Sequence, residues 1–221
     1  MRFTGTYDQD QLLDESLPIT WRHINKLAGC GALGDLGSHL LSISQFIMGD
    51  ITKVNAVATT VFPKRPKSAG STEMVDVENE DIMTFMAEYA NGAIGQIACS
   101  RVATGRKNYL TYEIQGTKGS VRYDLERMGE VQVYFQSDNE RDRGFRTVLL
   151  NPLMKGYSAF QPAGGISIAY NDMKILEVHA LFDAITNGAD YVTDFEFGYK
   201  IDRTVAAVIE SSKTREWVDV K

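Results

Sequence analysis

Apolar and polar positions along the chain change period several times, and each change marks an element. Residues 2–7 alternate and suit a short strand, whereas 8–18 is polar, rich in acids and reads as a loop or short irregular helix. Leu36, Leu40, Ile43, Phe46 and Ile47 then recur at helical spacing. Asp35 places an acid where a helix start favours one and Gly49 supplies a stop, so a helix is predicted over about residues 35–48. Residues 52–62 are rich in strand formers, and 63–80 reads as a charged loop of small residues, with Pro63 and Pro66 near its start, long enough to act as a flap.

Turn punctuation dominates the middle of the chain. Residues 82–89 and 93–102 flank Asn91-Gly92, a strong hairpin signal. Short strands follow at 109–115, 121–125, 131–135 and 145–150, separated by turns such as Gly116-Thr117-Lys118-Gly119. Strands joined so tightly pair antiparallel, because a parallel pair needs a crossover of about a dozen residues. After a loop at 156–165, helical period returns over 172–187 through Met173, Leu176, Ala180, Leu181, Ala184 and Ile185, closed by Gly188. Thr193 and Glu196 have capping-box spacing ahead of a last helix on which Ile201, Val205, Val208 and Ile209 share a face, and 217–220 reads as a final strand. A helix, a run of strands and two helices predict an α+β fold, with helices packed on one face of a largely antiparallel sheet.

The 221 residues are 43% hydrophobic, enough for a substantial core, and read as a single domain over 1–221. Net charge is −6, and the 23 Lys and Arg are scattered among 29 acids, which argues against a nucleic-acid partner or an anionic membrane surface. No apolar run approaches the ~20 residues of a membrane span and the first residues lack an apolar leader, so a cytoplasmic protein is expected. Cys30 and Cys99 fit neither a disulfide framework nor metal-ligand spacing; reduced thiols and no metal are expected.

Gly29-Cys30-Gly31-Ala32-Leu33-Gly34 matches the dinucleotide fingerprint G-x-G-x-x-G letter for letter and opens a helix. The fingerprint works only after a buried strand, and here Arg22, His23, Asn25 and Lys26 precede the glycines, while Val61-Phe62-Pro63-Lys64 stands where the ribose-binding acid belongs. The glycines read instead as a tight turn into the helix that lets backbone approach a ligand. Asp35 and His39 follow at i and i+4, on one helical face. An imidazole titrating near ~6.5, beside a carboxylate that fixes its tautomer, is a proton-transfer pair. A helix-start acid followed by a hydrogen-bonded, half-buried histidine would look the same. Trp21 and Arg22 precede the turn, where a flat ring and a fork of donors could face a polyhydroxylated ligand, or serve as core packing and a surface ion pair. His179, amid Val178, Ala180 and Leu181, reads as a satisfied core or interface histidine. The acidic run Glu73, Asp76, Glu78, Glu80 and Asp81 reads as a solvated face, since it lacks the spacing of a calcium loop.

The stretch from Trp21-Arg22 through Ala28-Gly29-Cys30-Gly31-Ala32-Leu33-Gly34-Asp35-Leu36-Gly37-Ser38-His39-Leu40 resembles the signature of the glucose-fructose oxidoreductase, inositol dehydrogenase and rhizopine-catabolism family, Gfo/Idh/MocA. Ser100-Arg101-Val102-Ala103, Gly105-Arg106-Lys107-Asn108, Gln115 to Val121 and the closing Glu216-Trp217-Val218-Asp219-Val220 continue the likeness in the same order. The resemblance spans nearly the whole chain and maps onto the family's C-terminal domain, which follows an N-terminal Rossmann domain that binds NAD or NADP. It implies a secondary alcohol or ketone of a sugar or cyclitol as substrate, and a homo-oligomer formed through the sheet face. Family catalysis pairs a lysine of the first domain with an Asp and a His in a D-x-x-x-H pattern, which Asp35 and His39 match. By resemblance, His39 takes the hydroxyl proton as the carbon gives up hydride, and Asp35 orients it. Arg101 and Asn108 stand in family-like segments, where they could line the cleft although a charge at the end of a strand is usually just solvated; with Tyr170 at a recurrent position, Trp21 and Arg22 they make up the expected substrate-binding set. Nothing before Met1 could be the cofactor domain, so no NAD(P) is expected to bind this chain alone. A stand-alone, non-catalytic carbohydrate-binding or oligomerisation module is the second reading.

Overall fold

A computed structural model describes residues 1–154 and 156–221. In chain order its elements are β1 (Arg2–Asp8), α1 (Asn25–Ala28), α2 (Ser38–Met48), β2 (Ile51–Thr59), β3 (Lys64–Pro66), β4 (Met74–Asp76), β5 (Ile82–Tyr89), β6 (Ile94–Ser100) and β7 (Tyr109–Gln115). They continue as β8 (Gly119–Asp124), β9 (Glu130–Phe135), β10 (Arg146–Leu149), α3 (Tyr170–Asn187), α4 (Phe195–Thr214) and β11 (Val218–Asp219). The chain comprises two compact units, Met1–Tyr112 with Tyr199–Lys221, and Glu113–Gly198. Both β7 and α4 run from one unit into the other, so no linker marks the division in the sequence.

In the first unit the strand order is β1-β6-β5-β2-β11. Asn91-Gly92 closes the β5–β6 hairpin as the sequence predicts, with the Asn91 side chain accepting from the Ala93 N–H at 3.0 Å. The β2–β5 and β2–β11 pairs are antiparallel, whereas β1 pairs parallel with β6 over Arg2↔Ile94 to Asp8↔Ser100. Some 85 residues separate those two strands, far beyond what a parallel crossover needs. One sheet face carries the buried Phe3, Tyr7, Val54, Met83, Phe85 and Ile97, and the opposite face leaves Val57, Met86 and Ile94 exposed. Helix α2 covers the core face: Leu40 and Leu41 are fully buried, and each contributes about 1.5–3 kcal/mol of apolar burial. Helix α4 joins it through Gln45 Nε2 to Thr204 Oγ1 at 3.2 Å, and reaches β2 through Ser211 Oγ, which accepts from the Ala56 N–H at 2.9 Å. The expected α+β architecture, with helices on one face of a mostly antiparallel sheet, is the one observed in this unit.

Residues 63–80 do not form the loose flap expected of them. They contain the β3–β4 hairpin, and Arg65 at its centre is fully buried, its guanidinium donating to the carbonyls of Asp14 (2.7 Å) and Leu12. A cation without solvent must find acceptors, and these tie the hairpin to the polar 8–18 segment.

In the second unit β8, β9 and β10 form an antiparallel meander, and Leu150 and Ile168 are buried. Asp172 stands at the start of α3 as expected, its carboxylate accepting from the Ala169 N–H at 2.8 Å. No described residue of α3 is buried, so His179, expected in a core or an interface, is exposed in this chain. The start of α4 is capped not by the Thr193 and Glu196 pair but by Asp194, whose Oδ1 accepts from the Phe197 N–H at 2.8 Å. That carboxylate sits three residues before its donor, the reach a cap requires. Among the described residues, no helix is long and apolar enough to cross a membrane.

Candidate active site

The site is assembled around the glycine turn. A 3₁₀ turn, Trp21–His23, leads into α1, and Gly29 reverses the chain at φ +76°. A Cβ on Gly31 would lie 1.9 Å from the backbone oxygen of Glu80, so only glycine fits there. The Glu80 carboxylate then fills the turn: Oε1 accepts from the N–H groups of Gly31 and Leu33, each at 2.9 Å, and Oε2 also lies 2.9 Å from the Gly31 nitrogen. The backbone donors that a dinucleotide fingerprint would offer to phosphate are satisfied by the protein's own anion. The expected helix over 35–48 is in fact two pieces, a π-turn over Leu33–Gly37 followed by α2, with the Ser38 N–H donating to the Leu33 carbonyl five residues back. Such turns are rare and concentrate at functional sites.

A cavity of about 190 Å³ opens beside this turn, its wall including Trp21, Arg22, Cys30, Gly31, Asp35 and Arg101. Trp21 is 53% exposed rather than packed in the core, and the Arg22 guanidinium stands 4.6 Å from its ring centroid. Arg22 Nε lies 3.4 Å from Asp35 Oδ2, in ion-pair contact. Both atoms are buried, and among the described residues neither makes a well-aligned hydrogen bond. The carboxylate is therefore oriented by charge while retaining acceptor capacity.

Arg101 is fully buried. Its Nε pairs with Asp81 Oδ1 at 2.9 Å, and its terminal nitrogens donate to the carbonyls of Arg22 (3.3 Å) and Asn79 (3.4 Å). The Arg22 carbonyl also accepts from Asn79 Nδ2 at 2.9 Å, so Arg101 borders the cavity and holds the backbone of its neighbour. The acidic run expected as a solvated face is thus divided: Glu73 and Asp76 meet Lys67 and Lys64 at the surface, but Glu80 is half-buried against the glycine turn and Asp81 is fully buried. Asp81 also accepts from the N–H groups of Val61 and Phe62. Only the tertiary fold could distinguish them, because buried and solvated acids look alike in sequence.

His39, the second residue of α2, is exposed, and its ring meets Tyr7 edge-on at 5.8 Å between centroids. Tyr7 donates its hydroxyl to Asn108 Oδ1 at 2.7 Å, and Gln9 Nε2 reaches the same oxygen at 2.9 Å. The fold therefore groups Asp35 with Trp21, Arg22 and Arg101, and His39 with Tyr7 and Asn108. Tyr170, the first residue of α3, belongs to the second unit, where Lys174 Nζ lies 5.6 Å from its ring centroid. Two further titratable groups are quiet. Burial pushes the Cys30 thiol up to about 11, Glu80 adding to the effect, which leaves it protonated and unreactive at neutral pH. Burial, with the charges of Arg101 and Arg65, holds His23 below its ordinary value of 6.5. Among the described residues, no group of three or more His, Cys, Asp or Glu is placed to hold a metal ion.

Asp35 on the wall of a polar cavity, on an α+β scaffold with a mostly antiparallel sheet, agrees with the family resemblance of the sequence. The chain belongs to the Gfo/Idh/MocA family: the model of the GFO/IDH/MocA C-terminal domain matches residues 1–122. Levoglucosan dehydrogenase of Pseudarthrobacter phenanthrenivorans is 38% identical over 100% of this chain, which spans 59% of that enzyme. The structure of a levoglucosan dehydrogenase in complex with NADH matches with a TM-score of 0.95, at 38% identity, over 100% of this chain and 58% of that one. A NAD binding oxidoreductase from Klebsiella pneumoniae matches at 40% identity with a TM-score of 0.94, over 100% of this chain and 59% of its own. The chain thus spans less than two thirds of the length of these relatives.

Proposed function

We propose that this chain is the substrate side of an NAD(P)-dependent dehydrogenase that oxidises a secondary hydroxyl of a sugar, or reduces the matching ketone. His39 is its acid–base residue and Asp35 orients it. The carrying observation is the placement of Asp35 on the wall of a cavity flanked by an exposed indole and a guanidinium, with His39 one turn further on and open to solvent. Levoglucosan, the substrate named for the 38% identical relative, is the first sugar to test.

Each residue has a physical task. The Trp21 ring offers a flat apolar surface to a sugar face, and Arg22 offers guanidinium donors to hydroxyl oxygens. His39 Nε2 or Nδ1 accepts the hydroxyl proton during oxidation and can pass it to solvent. Asp35 stabilises the imidazolium so formed, and such proton transfer contributes about 10²- to 10⁴-fold in rate. The glycine turn does not fit a dinucleotide, since Glu80 already occupies its N–H groups. NAD or NADP is therefore assigned to the part of the longer relatives that this chain does not span. Val57, Met86 and Ile94, exposed on the sheet face opposite α2, suit self-association.

In the full-length enzyme, His39→Ala is expected to lower kcat at least about 100-fold while leaving the KM for NAD(P) within about twofold. Near-normal turnover in that variant takes His39 out of the chemistry.

A further inference from the structure

Glu80 lies just before β5, 45 residues along the chain from Asp35, yet it grips the turn from which Asp35 projects. Its carboxylate accepts from the Gly31 and Leu33 N–H groups, and its own backbone oxygen accepts from the Ala32 N–H at 3.0 Å. Three consecutive residues are thus fastened to one. The two that meet the carboxylate lead directly to the acid–base pair. The Gly31 carbonyl accepts from the Asp35 N–H at 3.1 Å, and the Leu33 carbonyl accepts from the N–H of Ser38, the neighbour of His39.

We propose that Glu80 is a positioning residue for the Asp35–His39 pair: its carboxylate, held by the backbone of the glycine turn, sets where the π-turn begins and so where both side chains stand. The inference rests on the role given to those two residues above. A π-turn carries one residue more than an α-turn, so the segment has a competing α-helical register into which it could relax. The first N–H groups of a helix have no partner of their own, and an anion among them is favoured by charge and dipole together. The fit at Gly31 leaves no slack, since even a methyl group would overlap the Glu80 backbone. The sugar-facing residues are held differently, through the Arg22 carbonyl to Asn79 and Arg101. Loss of the Glu80 carboxylate should therefore disturb the chemistry more than it disturbs binding.

The test is steady-state kinetics of the full-length dehydrogenase with four substitutions. Glu80→Ala is expected to lower kcat about 10- to 100-fold, the effect of displacing reacting groups by ~1 Å, with the KM for the sugar changed less than about threefold. Glu80→Gln keeps an oxygen facing both N–H groups but loses the charge, and is expected to restore kcat to within about threefold of wild type. Glu78→Gln is the control, because Glu78 accepts from the Asn25 N–H at 2.6 Å and lies outside this contact. His39→Ala separates the two levels of the argument. If it leaves turnover intact, the acid–base reading fails. If it abolishes turnover while Glu80→Ala behaves like Glu78→Gln, only the role of Glu80 is overturned. A Glu80→Gln enzyme as slow as Glu80→Ala, or a loss expressed in KM alone, also overturns it.

Discussion

Asp81→Ala would remove one half of an ion pair whose two side chains are both fully buried, with Arg101 Nε 2.9 Å from Asp81 Oδ1. Without the carboxylate the guanidinium is left uncompensated where water does not reach, at a cost of about 3–5 kcal/mol. The N–H groups of Val61 and Phe62 lose their acceptor as well, at 2.8 and 3.2 Å, which adds about 1 kcal/mol in all, since both lie nearer solvent. Native stability of a domain is only about 5–15 kcal/mol, so the substitution consumes a large fraction of it. For a chain of this length each kcal/mol lowers Tm by roughly 2–4 °C, and a fall of about 10–20 °C is expected by calorimetry or circular dichroism. Replacing the pair together, Asp81→Leu with Arg101→Met, should recover most of the loss, because no buried charge then remains. The same single variant should raise the KM for the sugar, since Arg101 holds the Arg22 carbonyl. A change of less than about 1 kcal/mol for Asp81→Ala, or a double variant as unstable as the single one, would refute the reasoning that an unpaired charge is what the pair prevents.

Other outcomes follow from the same geometry. Arg22→Leu is expected to lower kcat/KM for the sugar about 10- to 100-fold, the worth of a charged hydrogen bond, mostly through KM; an unchanged KM would show that the guanidinium serves only Asp35. His23 is held below 6.5, so the unfolded chain takes up a proton near pH 6.5 that the folded chain still refuses. Its contribution to stability is complete above that pH and is lost as pH falls from 6.5 towards the depressed folded value. His23→Gln should flatten this limb in urea titrations, and an unaltered limb would place the acid sensitivity elsewhere. Calorimetric titration of this chain with NADH should show no binding, because Glu80 fills the glycine turn; micromolar affinity would mean that the turn accepts phosphate after all.

Most of the elements, and the residues proposed to carry the chemistry, could be read from residue order. Period-two runs and Asn91-Gly92 located the strands β5 and β6, the spacing of Leu36, Leu40 and Ile43 located the helix at the site, and D-x-x-x-H marked Asp35 and His39, since these signals depend only on neighbours a few positions apart. The family, too, is legible in the sequence, through the segments from Trp21 to Leu40 and Glu216 to Val220. Tertiary structure alone decided the parallel pairing of β1 with β6, the pinning of 63–80 by Arg65, and the separate fates of Glu73, Glu80 and Asp81. It also decided that the glycine turn encloses a carboxylate from 49 residues away, a partner that its six letters do not name. The physical reason is common to all of these. Whether a charge is solvated, paired or buried depends on what the folded chain brings against it, and that partner is set by long-range packing rather than by adjacent residues.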